Sequence, residues 1–306
     1  MDLANERTVY FNGRYVPESQ ALVPYRDRSW LYGDGAFDMT RTFDGRIFRI
    51  DEHINRFYRS LRALRLDPGL SAEEMTAISH EVLQRNRHLI PPGEDFWVGQ
   101  RVSRGVMKVP GDNWDHHGPT VIVECLPMPL AERANLFRDG IKVITPSVRR
   151  IPPECLTPRA KSHNYLNLIM GDLEVRAQIP EAWAILLDTN GNLSEGLGSN
   201  VFLVRDGEIL TPREQFVLPG VSRQTAIDLA AQLSIPLREV DIDLYDAYTC
   251  EEGFITSTSL CICPIASVNG VAMPEGAFGP VTQRLIDAYV DLVGCDFVAQ
   301  YRAKLA

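Results

Sequence analysis

The sequence predicts an α+β fold divided into two domains, and three observations support this. Strand-like segments run through both halves of the chain, whereas the amphipathic helical segments are grouped and do not alternate with single strands. A proline-rich break, Pro127–Gly140, interrupts this pattern near the middle. The chain of 306 residues is long enough for two domains that each bury a core. We therefore predict an N-terminal α+β domain over residues 1–126, a linker over 127–137 and a larger C-terminal domain over 138–306.

The first domain is predicted to open with two hairpins. TVYF and RYV flank an Asn-Gly pair at 12–13, and MTRTF and RIFRI flank an Asp-Gly pair at 44–45. Both dipeptides are typical of two-residue β-turns. HINRFYRSLRALRL then has helical periodicity, and Ser71 with Glu74 predicts a capping box at the start of a second helix. FWVGQRVSRGV and PTVIVECLPM are predicted to be strands.

The second domain is predicted to mix strands and helices in a fixed order. IKVITP reads as a strand, a helix follows Lys161, and AWAILLD and NVFLV read as strands. A helix is predicted from Val221, followed by the strands EGFITST and ICPIASV and by a last helix from about Val281. No internal repeat and no low-complexity tract interrupts this order.

Composition and charge exclude several functional classes. The formal net charge is −9, with 45% hydrophobic and 23% charged residues, which disfavours nucleic acid and anionic membranes as partners. The first residues lack the basic start and apolar stretch of a signal peptide, and no apolar run approaches the roughly 20 residues of a membrane span. Six cysteines without regular spacing predict free thiols and no metal site. We expect a cytoplasmic protein.

Two segments carry groups that suit carbonyl and amine chemistry. Lys161 is the only lysine between Lys142 and Lys304, and a lysine amine can form a Schiff base with an aldehyde once its pKa is lowered. In LSEGLGSNVFLV, Glu195 stands beside two closely spaced glycines, which indicates a backbone that another group approaches closely. A carboxylate there could pair with a protonated ring nitrogen.

Three further segments suit a phosphate group. Val221 opens a helix after Leu-Pro-Gly, and the first N–H groups of a helix with the hydroxyl of Ser222 bind anions. TSTS at 256–259 supplies four consecutive hydroxyls at the end of a strand. Arg56 and Arg59 lie three residues apart on one predicted helix. Taken singly, each of the five segments is more often an ordinary turn, helix start or solvated surface group.

The set as a whole resembles the class IV aminotransferases, the fold type IV pyridoxal-phosphate enzymes, over nearly the whole chain. The resemblance rests on YGDGAFD near residue 32, HINRF at 53, PRAKSHNYLN at 158, SEGLGSNVF at 194, LPGVSRQ at 218 and FITSTS at 254. It implies pyridoxal 5′-phosphate as cofactor, a smaller N-terminal α+β domain, a larger C-terminal domain with a barrel-like sheet, and a homodimer.

The resemblance also assigns roles to individual residues. Lys161 corresponds to the catalytic Schiff-base lysine, which also shuttles the proton between substrate and cofactor. The other cofactor-binding positions are Glu195 for the pyridine nitrogen, Tyr165 near the phenolic oxygen, and Arg56, Val221, Ser222 and Thr258 for the phosphate. An amino donor and a 2-oxo acid acceptor are the implied small-molecule partners.

The substrate class is open within this family, because the chain departs from several subgroup patterns. Ser199 stands where branched-chain enzymes usually have glutamate, and Trp97 and Gly99 stand where those enzymes have Tyr-x-Arg. VRRIPPECLTPRAK resembles the (R)-amine subgroup, whereas YGDGAFD resembles the D-amino-acid and lyase subgroups. We predict a transaminase for hydrophobic amines or amino acids. The candidate substrate-binding residues are Tyr32, Phe37, Trp97, Arg101 and Ser259, with Arg104, Lys108 and Arg149 as further carboxylate binders.

Two alternative functions share these motifs. One is a pyridoxal-phosphate lyase of the aminodeoxychorismate type, which has the same cofactor residues. The other is a non-catalytic protein that keeps the fold and the binding site, since fold alone does not determine function. Retention of Lys161, Glu195 and the phosphate segments together favours an enzyme.

Overall fold

The computed structural model describes residues 6–111, 113 and 118–305, which form two compact units. The first unit consists of Met1–Met128 together with Ala160–Asn164, and the second of Pro129–Arg159 and Tyr165–Ala306. The short segment that contains Lys161 therefore packs with the N-terminal unit and not with the rest of residues 138–306. The boundaries of independently folding domains at 126 and 138 stay a prediction.

The first unit is an antiparallel sheet with two long helices. Its sheet order is β2-β1-β6-β5-β3-β4, and all of these pairings are antiparallel. Its elements are β1 (Thr8–Phe11), β2 (Arg14–Pro17), α1 (Arg28–Tyr32), β3 (Gly35–Phe43), β4 (Arg46–Ile47), α2 (Ile50–Ala63), α3 (Ala72–Asn86), β5 (Phe96–Val106) and β6 (Gly118–Pro127).

Both predicted hairpins form, and their turns explain why. Asn12 and Asp44 have φ angles of 44° and 49°, and Gly13 and Gly45 follow them with φ of 88° and 69°. Two successive residues with positive φ make the turn whose twist matches that of paired strands. The second hairpin is shorter than predicted, because β4 ends at Ile47 and α2 begins only three residues later.

The sheet of the first unit has one buried face and one open face. Alternate residues of the central strands, such as Ala36, Val98 and Val123, are fully buried and pack with Phe57 and Leu61 of α2. Several side chains on the opposite side of these strands are only half-buried, namely Phe37, Met39, Trp97, Arg101, Ile122, Glu124 and Leu126. We call the surface made by these seven side chains the open sheet face.

The second unit is built around a closed barrel. The strands β10, β13, β14, β7, β8 and β9 follow one another, and β9 pairs back to β10, so that six strands form a ring. This confirms the predicted barrel-like sheet. The strands are β7 (Ile141–Ile144), β8 (Trp183–Leu187), β9 (Leu193–Gly196), β10 (Asn200–Arg205), β11 (Glu208–Thr211), β12 (Leu237–Glu239), β13 (Glu252–Ser257), β14 (Cys261–Val268) and β15 (Val271–Ala272).

Helices cover this barrel, and its strands are buried almost without interruption. Phe202 of β10 and Phe254 of β13 are fully buried and stack with ring centres 4.7 Å apart, and nearly continuous apolar strands are expected where both faces are covered. The helices are α4 (Leu130–Arg133), α5 (Leu136–Asp139), α6 (Leu166–Arg176), α7 (Val221–Gln232), α8 (Leu244–Thr249), α9 (Pro280–Val293) and α10 (Phe297–Arg302). Within the described residues, none of these or the preceding helices is long and apolar enough to cross a bilayer.

Much of the predicted linker is helical. α4 and α5 fall within Pro127–Gly140, and Phe137 is fully buried there, with its ring stacked on Tyr301 at 4.6 Å. A buried aromatic side chain ties a segment to its unit more firmly than a solvated connection would. Residues 130–139 therefore belong structurally to the second unit.

Candidate active site

The segment that carries Lys161 is attached to the first unit by main-chain contacts on both sides. The Lys161 N–H donates to Ser60 Oγ at 3.1 Å, and its carbonyl accepts from the Phe37 N–H at 3.0 Å. Ser162 forms a β-bridge with Ala36 of β3. The Nζ of Lys161 lies 4.6 Å from the centre of the Phe37 ring. The predicted nucleophile is thus held jointly by α2 and β3, next to an apolar ring.

One side of α2 points inward and connects Lys161 to the predicted phosphate arginine. His53, Arg56 and Ser60 are spaced by three and four residues, which places them on one side of a helix. All three are buried, whereas Arg59 is exposed. Ser60 Oγ donates to the Arg56 carbonyl at 3.0 Å while it accepts from Lys161. Of the two arginines considered from the sequence, only Arg56 faces the interior.

Arg56 is held by a fully buried carboxylate. Its Nε and Nη2 donate to the two oxygens of Asp38 at 2.9 and 2.7 Å, and His53 Nδ1 lies 2.7 Å from Asp38 Oδ1. Burial alone would raise the pKa of Asp38, but the charge of Arg56 and the contacts with His53 outweigh it and hold that pKa far below its usual range. Burial lowers the pKa of His53, so its ring is neutral near pH 7. Asp38 and His53 were not among the residues predicted for the site.

The open sheet face gathers three of the five candidate substrate residues. Phe37 pairs directly with Arg101 across β3 and β5, and Trp97 lies four residues before Arg101 on the same side of its strand. The guanidinium carbon of Arg101 is 5.3 Å from the centre of the Phe37 ring. Arg101 Nε donates to Glu124 Oε1 at 2.7 Å. The sequence reading missed Glu124, although its position within alternating PTVIVECLP indicates this face.

Two more side chains of the first unit lie around this region. Tyr32 is 64% exposed on α1, with the Arg28 guanidinium 5.1 Å from its ring centre. His163, two residues after Lys161, was not predicted; its Nδ1 lies 2.5 Å from Ser29 Oγ, and its ring centre is 5.7 Å from that of Phe37. Burial lowers the pKa of His163 to about 4, and the charge of Arg101 adds to this effect.

In the second unit, three polar residues form a row across neighbouring strands. Glu195 of β9 is paired with Asn200 of β10, and Asn200 is paired with Thr256 of β13. Paired residues on adjacent strands lie roughly 5 Å apart. Strand register therefore brings Glu195 and Thr256 together, although they are about sixty residues apart in the sequence. Hydrophobic periodicity alone does not predict which strands pair.

The Glu195 carboxylate accepts hydrogen bonds from residues on both sides of this row. Its Oε1 accepts from Arg150 Nε at 3.0 Å, and its Oε2 accepts from the Leu218 N–H at 2.8 Å. Asn200 Nδ2 donates to the Leu218 carbonyl at 3.0 Å, so the Leu-Pro-Gly turn is tied to both strands. Glu195 is 4% exposed. The positive charge of Arg150 stabilises the charged form of the Glu195 carboxylate. Arg150 was not predicted from the sequence, although its neighbour Arg149 was proposed as a carboxylate binder.

The start of α7 fits an anion. Gly220 occupies the N-cap position without a capping side chain, and Val221 and Ser222 of the first turn are buried. A Cβ added to Gly220 would lie 2.3 Å from Asn200 Oδ1, so only glycine fits there without a shift. The first N–H groups of a helix lack intrahelical partners and carry partial positive charge. This helix end lies beside the Glu195 row through Asn200.

Hydroxyl groups surround the turn between β13 and β14. Thr258 lies in this turn, and Ser257 Oγ is 3.3 Å from Ser259 Oγ. Ser259 also accepts from Arg133 Nη1. Together with Trp183 and Gly198, Arg133, Ser257 and Ser259 are among the residues that line a cavity of about 510 Å³ in the second unit. Gly198 faces open space, since a Cβ there would meet nothing within 4 Å.

Tyr165 directly precedes α6 and packs within the second unit. It borders a cluster of buried apolar side chains that includes Leu168 and Leu186, and Leu197, two residues after Glu195, borders the same cluster. Tyr165 therefore lies on the side of the barrel that carries the Glu195 segment.

The donor set fits pyridoxal phosphate within each unit. In the first, Ser60 joins the backbone of Lys161 to that of the buried Arg56. In the second unit, three groups lie close to the paired ends of β9, β10 and β13. They are the uncapped start of α7, the Glu195 carboxylate and the hydroxyl groups of residues 256–259. The Oγ1 of Thr256 is buried and has no hydrogen-bond partner among the described residues, which indicates a polar group missing from its environment.

Comparison with known proteins identifies the family. The family model for amino-transferase class IV matches residues 35–268, which span most of both units. The chain belongs to the class IV aminotransferases. A provisionally named branched-chain-amino-acid aminotransferase of Methanocaldococcus jannaschii is 36% identical over 286 residues, which are 93% of this chain and 96% of that protein.

The branched-chain-amino-acid aminotransferase of Escherichia coli is similar over nearly the same length, in sequence and in structure. The branched-chain-amino-acid aminotransferase of Escherichia coli K12 is 31% identical over 294 residues, covering 93% of this chain and 92% of that protein. A crystal structure of the Escherichia coli enzyme matches with a TM-score of 0.85 at 29% identity, covering 94% of this chain and 95% of that chain. The predicted α+β, fold type IV architecture is thereby confirmed.

Membership of the class IV aminotransferases also confirms the reaction type. The protein is a pyridoxal-phosphate-dependent aminotransferase, and enzymes of this class use pyridoxal phosphate to exchange amino groups between amino compounds and 2-oxo acids. The alternative of a non-catalytic binding protein is therefore set aside. The roles of individual residues, from Lys161 to Ser259, stay predictions.

Proposed function

We propose that this aminotransferase moves the amino group of a hydrophobic amino compound to a 2-oxo acid, and that Lys161 holds pyridoxal 5′-phosphate as a Schiff base. The observation that carries the proposal is the position of Lys161. Its backbone is bound on both sides by Ser60 and Phe37, and its amine lies against an apolar ring. A lysine whose backbone is held in place in this way is positioned to attack the aldehyde of a bound cofactor.

We propose that the remaining predicted residues hold the rest of the cofactor. Arg56, Val221, Ser222 and Thr258 would bind the phosphate, Glu195 the pyridine nitrogen, and Tyr165 would lie near the phenolic oxygen. When bound, the group supplies an electron sink that acidifies the α-carbon of an attached amine. The buried, arginine-paired state of Glu195 supports its assignment, because a fixed carboxylate keeps a ring nitrogen protonated.

The chain's own groups then perform three tasks. The amine of Lys161 would take a proton from the substrate α-carbon and deliver it to C4′ of the bound cofactor, which requires a group that stays close to both carbons. Asp38 holds Arg56 and limits its freedom. Phe37, Met39 and the other apolar side chains of the open sheet face keep water away from the amine.

The apolar character of the open sheet face supports a hydrophobic substrate. Five of its seven side chains are apolar, namely Phe37, Met39, Trp97, Ile122 and Leu126, and they are half-buried in the described chain. An aliphatic side chain placed on them would bury apolar area, worth about 25 cal/mol per Å². Relatives named for branched-chain amino acids agree with this choice. We also propose that Tyr32 and Ser259 contact the substrate.

A screen of half-reactions tests the substrate proposal. The cofactor-loaded protein is mixed with L-leucine, D-alanine or (R)-1-phenylethylamine, and the loss of cofactor colour is followed. We expect L-leucine to bleach the colour and pyruvate or another 2-oxo acid to restore it. Bleaching by D-alanine or the amine, but not by L-leucine, would reject the branched-chain substrate. Pyruvate released from aminodeoxychorismate without an acceptor would indicate a lyase instead.

A labelling experiment tests the role of Lys161. The protein is loaded with pyridoxal phosphate and reduced with borohydride, and the labelled peptide is identified by mass spectrometry. We expect Lys161→Ala to abolish labelling. Lys142→Ala is the control, since Lys142 is an exposed lysine paired with Glu181 at 3.1 Å, and its removal should leave labelling intact. Persistent labelling of another lysine in Lys161→Ala would contradict the assignment.

A further inference from the structure

We infer that Arg101 binds the carboxylate of the substrate and that Glu124 positions Arg101 for this task. The inference rests on the proposed function of Lys161 and narrows the class of substrates that the enzyme accepts. Compounds with both an amine and a carboxylate, and the corresponding 2-oxo acids, are then the substrates. Amines that lack a carboxylate are poor ones.

Strand register brings Glu124 to Arg101. Glu124 of β6 pairs with Gly99 of β5, two residues before Arg101 and on the same side of that strand. Gly99 leaves the space that Glu124 uses: a Cβ there would lie 3.1 Å from Glu124 Oε1 and 2.9 Å from Met39 Cε. Any larger residue at position 99 would push the carboxylate away. The glycine therefore permits Glu124 to reach diagonally to Arg101.

The contact engages only one edge of the guanidinium. Arg101 uses its Nε for Glu124, at 2.7 Å, and within the described residues its two Nη groups have no hydrogen-bond partner. The Arg101 side chain is 35% exposed and that of Glu124 is 18% exposed. A guanidinium fixed at Nε presents its two Nη groups in a planar fork that matches the two oxygens of a carboxylate. Glu124 thus orients Arg101 and leaves its binding end available.

The Phe37 ring links this end to the reacting amine. The Arg101 guanidinium carbon and the Lys161 Nζ lie 5.3 and 4.6 Å from the centre of the same ring. A molecule whose carboxylate contacts Arg101 would place its carbon chain along Phe37 and its amino group toward Lys161. An amine without a carboxylate would cover the same ring but give the two Nη groups of Arg101 no acceptor, and donors that lose water without gaining a hydrogen bond cost binding energy.

Binding of an unreactive ligand pair tests this directly. Calorimetry on the cofactor-loaded protein measures Kd for 4-methylpentanoate and for 4-methylpentanamide, which share a chain but differ in charge. We expect Arg101→Leu to weaken carboxylate binding by about 10- to 100-fold, the loss expected for a charged hydrogen bond, and to leave amide binding unchanged. Arg85→Leu is the matched control, because Arg85 pairs with Glu81 on the exposed side of α3.

The Glu124 variants separate positioning from general structure. Glu124→Ala should weaken binding of 4-methylpentanoate roughly 3- to 10-fold, since Arg101 loses its orientation. Binding of 4-methylpentanamide should not change. Glu124→Gln keeps an oxygen acceptor for Nε and should restore most of the affinity. Equal weakening of both ligands in these variants would indicate a merely structural role and would overturn the inference.

The outcomes also separate this inference from the proposed function. If the protein takes up pyridoxal phosphate and L-leucine bleaches it, but Arg101→Leu leaves the ratio of the two Kd values unchanged, the carboxylate assignment alone is wrong. If the wild-type protein takes up no cofactor, the proposed role of Lys161 fails. The carboxylate-to-amide ratio of the unloaded protein and of its Arg101→Leu variant then still decides the Arg101 assignment.

Discussion

Arg56, Asp38 and His53 form a charged group with almost no access to solvent. A buried ion pair contributes little net stability compared with an apolar replacement, but removal of one partner leaves a buried charge uncompensated. The value of Asp38 is therefore positional: it fixes the guanidinium of Arg56 on the side of α2 that also binds the Lys161 backbone. We expect this pairing to affect both the free energy of unfolding and its dependence on pH.

Asp38→Asn is expected to lower the free energy of unfolding by about 3–5 kcal/mol, because Arg56 stays buried without its counter-charge. Urea unfolding of the unloaded protein at pH 7 measures this. Because the folded-state pKa of Asp38 is far below its ordinary value near 4, its contribution is complete above that ordinary value and declines only at lower pH.

The difference in stability between wild type and Asp38→Asn should accordingly stay constant from pH 8 to about pH 4 and shrink below it. Asp291→Asn, a change at an exposed position of α9, serves as the control and should alter stability by less than about 0.5 kcal/mol. A difference that fades already between pH 7 and 5 would contradict the assigned pairing.

His163 gives a second prediction at this scale. Its folded-state pKa of about 4 lies below the value of about 6.5 in an unfolded chain, so between these values the unfolded state binds more protons. Stability should therefore fall as pH drops from 6.5 to 4. His163→Asn should flatten this part of the pH profile, as measured by urea unfolding. An NMR titration in which His163 of the folded protein becomes protonated near pH 6.5 would contradict the lowered pKa and the stability change predicted from it.

The secondary-structure elements divide into those set by local signals and those that need distant partners. The predicted capping box at the start of α3 is confirmed: Ser71 N donates to Glu74 Oε2 at 2.7 Å, and Glu74 N to Ser71 Oγ at 3.2 Å. α7 likewise begins at the predicted Val221. The N-terminus of α7, however, packs against Asn200 of β10. No signal in the neighbouring sequence predicts this contact.

Gly220→Ala tests how closely β10 approaches the start of α7. A Cβ 2.3 Å from Asn200 Oδ1 forces a shift, so we expect a loss of about 1–3 kcal/mol in the free energy of unfolding of the unloaded protein. Affinity for pyridoxal phosphate, measured by fluorescence titration, should fall as well. Gly198→Ala is the control for stability, since open space surrounds that position. Unchanged stability in Gly220→Ala would mean that the contact is looser than described.

At the scale of the whole molecule, the first unit exposes a run of large apolar side chains. The exposed fractions of Leu22, Tyr25, Trp30, Leu31 and Tyr32 range from 48% for Leu31 to 77% for Trp30. Contiguous apolar surface of this kind commonly marks an interface between proteins. We propose that it contacts a second copy of this chain, as the resemblance to the family implies, which would also give Tyr32 a partner.

Trp30→Asp is expected to shift the protein from dimer to monomer at micromolar concentration, because a buried aromatic anchor contributes strongly to an interface. Sedimentation velocity measures the change. Leu292→Asp alters an exposed leucine of α9 and should leave the dimer intact. A wild-type protein that is monomeric at all concentrations, or a Trp30→Asp variant that remains dimeric, would contradict this interface.

Much of the proposed site could be predicted from the sequence because its motifs are local. Lys161, Glu195, Val221 and Ser222 stand in short segments whose residue types suit amine, ring-nitrogen and phosphate chemistry. The residues that hold them were not predictable in this way. Arg150 acts through a contact with a residue 45 positions away, and Ser60 through one 101 positions away.

The sequence by itself determined the order of the main strands and helices, the turns at Asn12-Gly13 and Asp44-Gly45, the starts of α3 and α7, and the family, since each depends on neighbouring residues or on motif spacing. Only the tertiary structure decided that Ala160–Asn164 joins the first unit, that the barrel closes between β9 and β10, and that Glu124 meets Arg101. The physical reason is that strand register and side-chain pairing across a sheet are non-local, so they depend on which segments pack together.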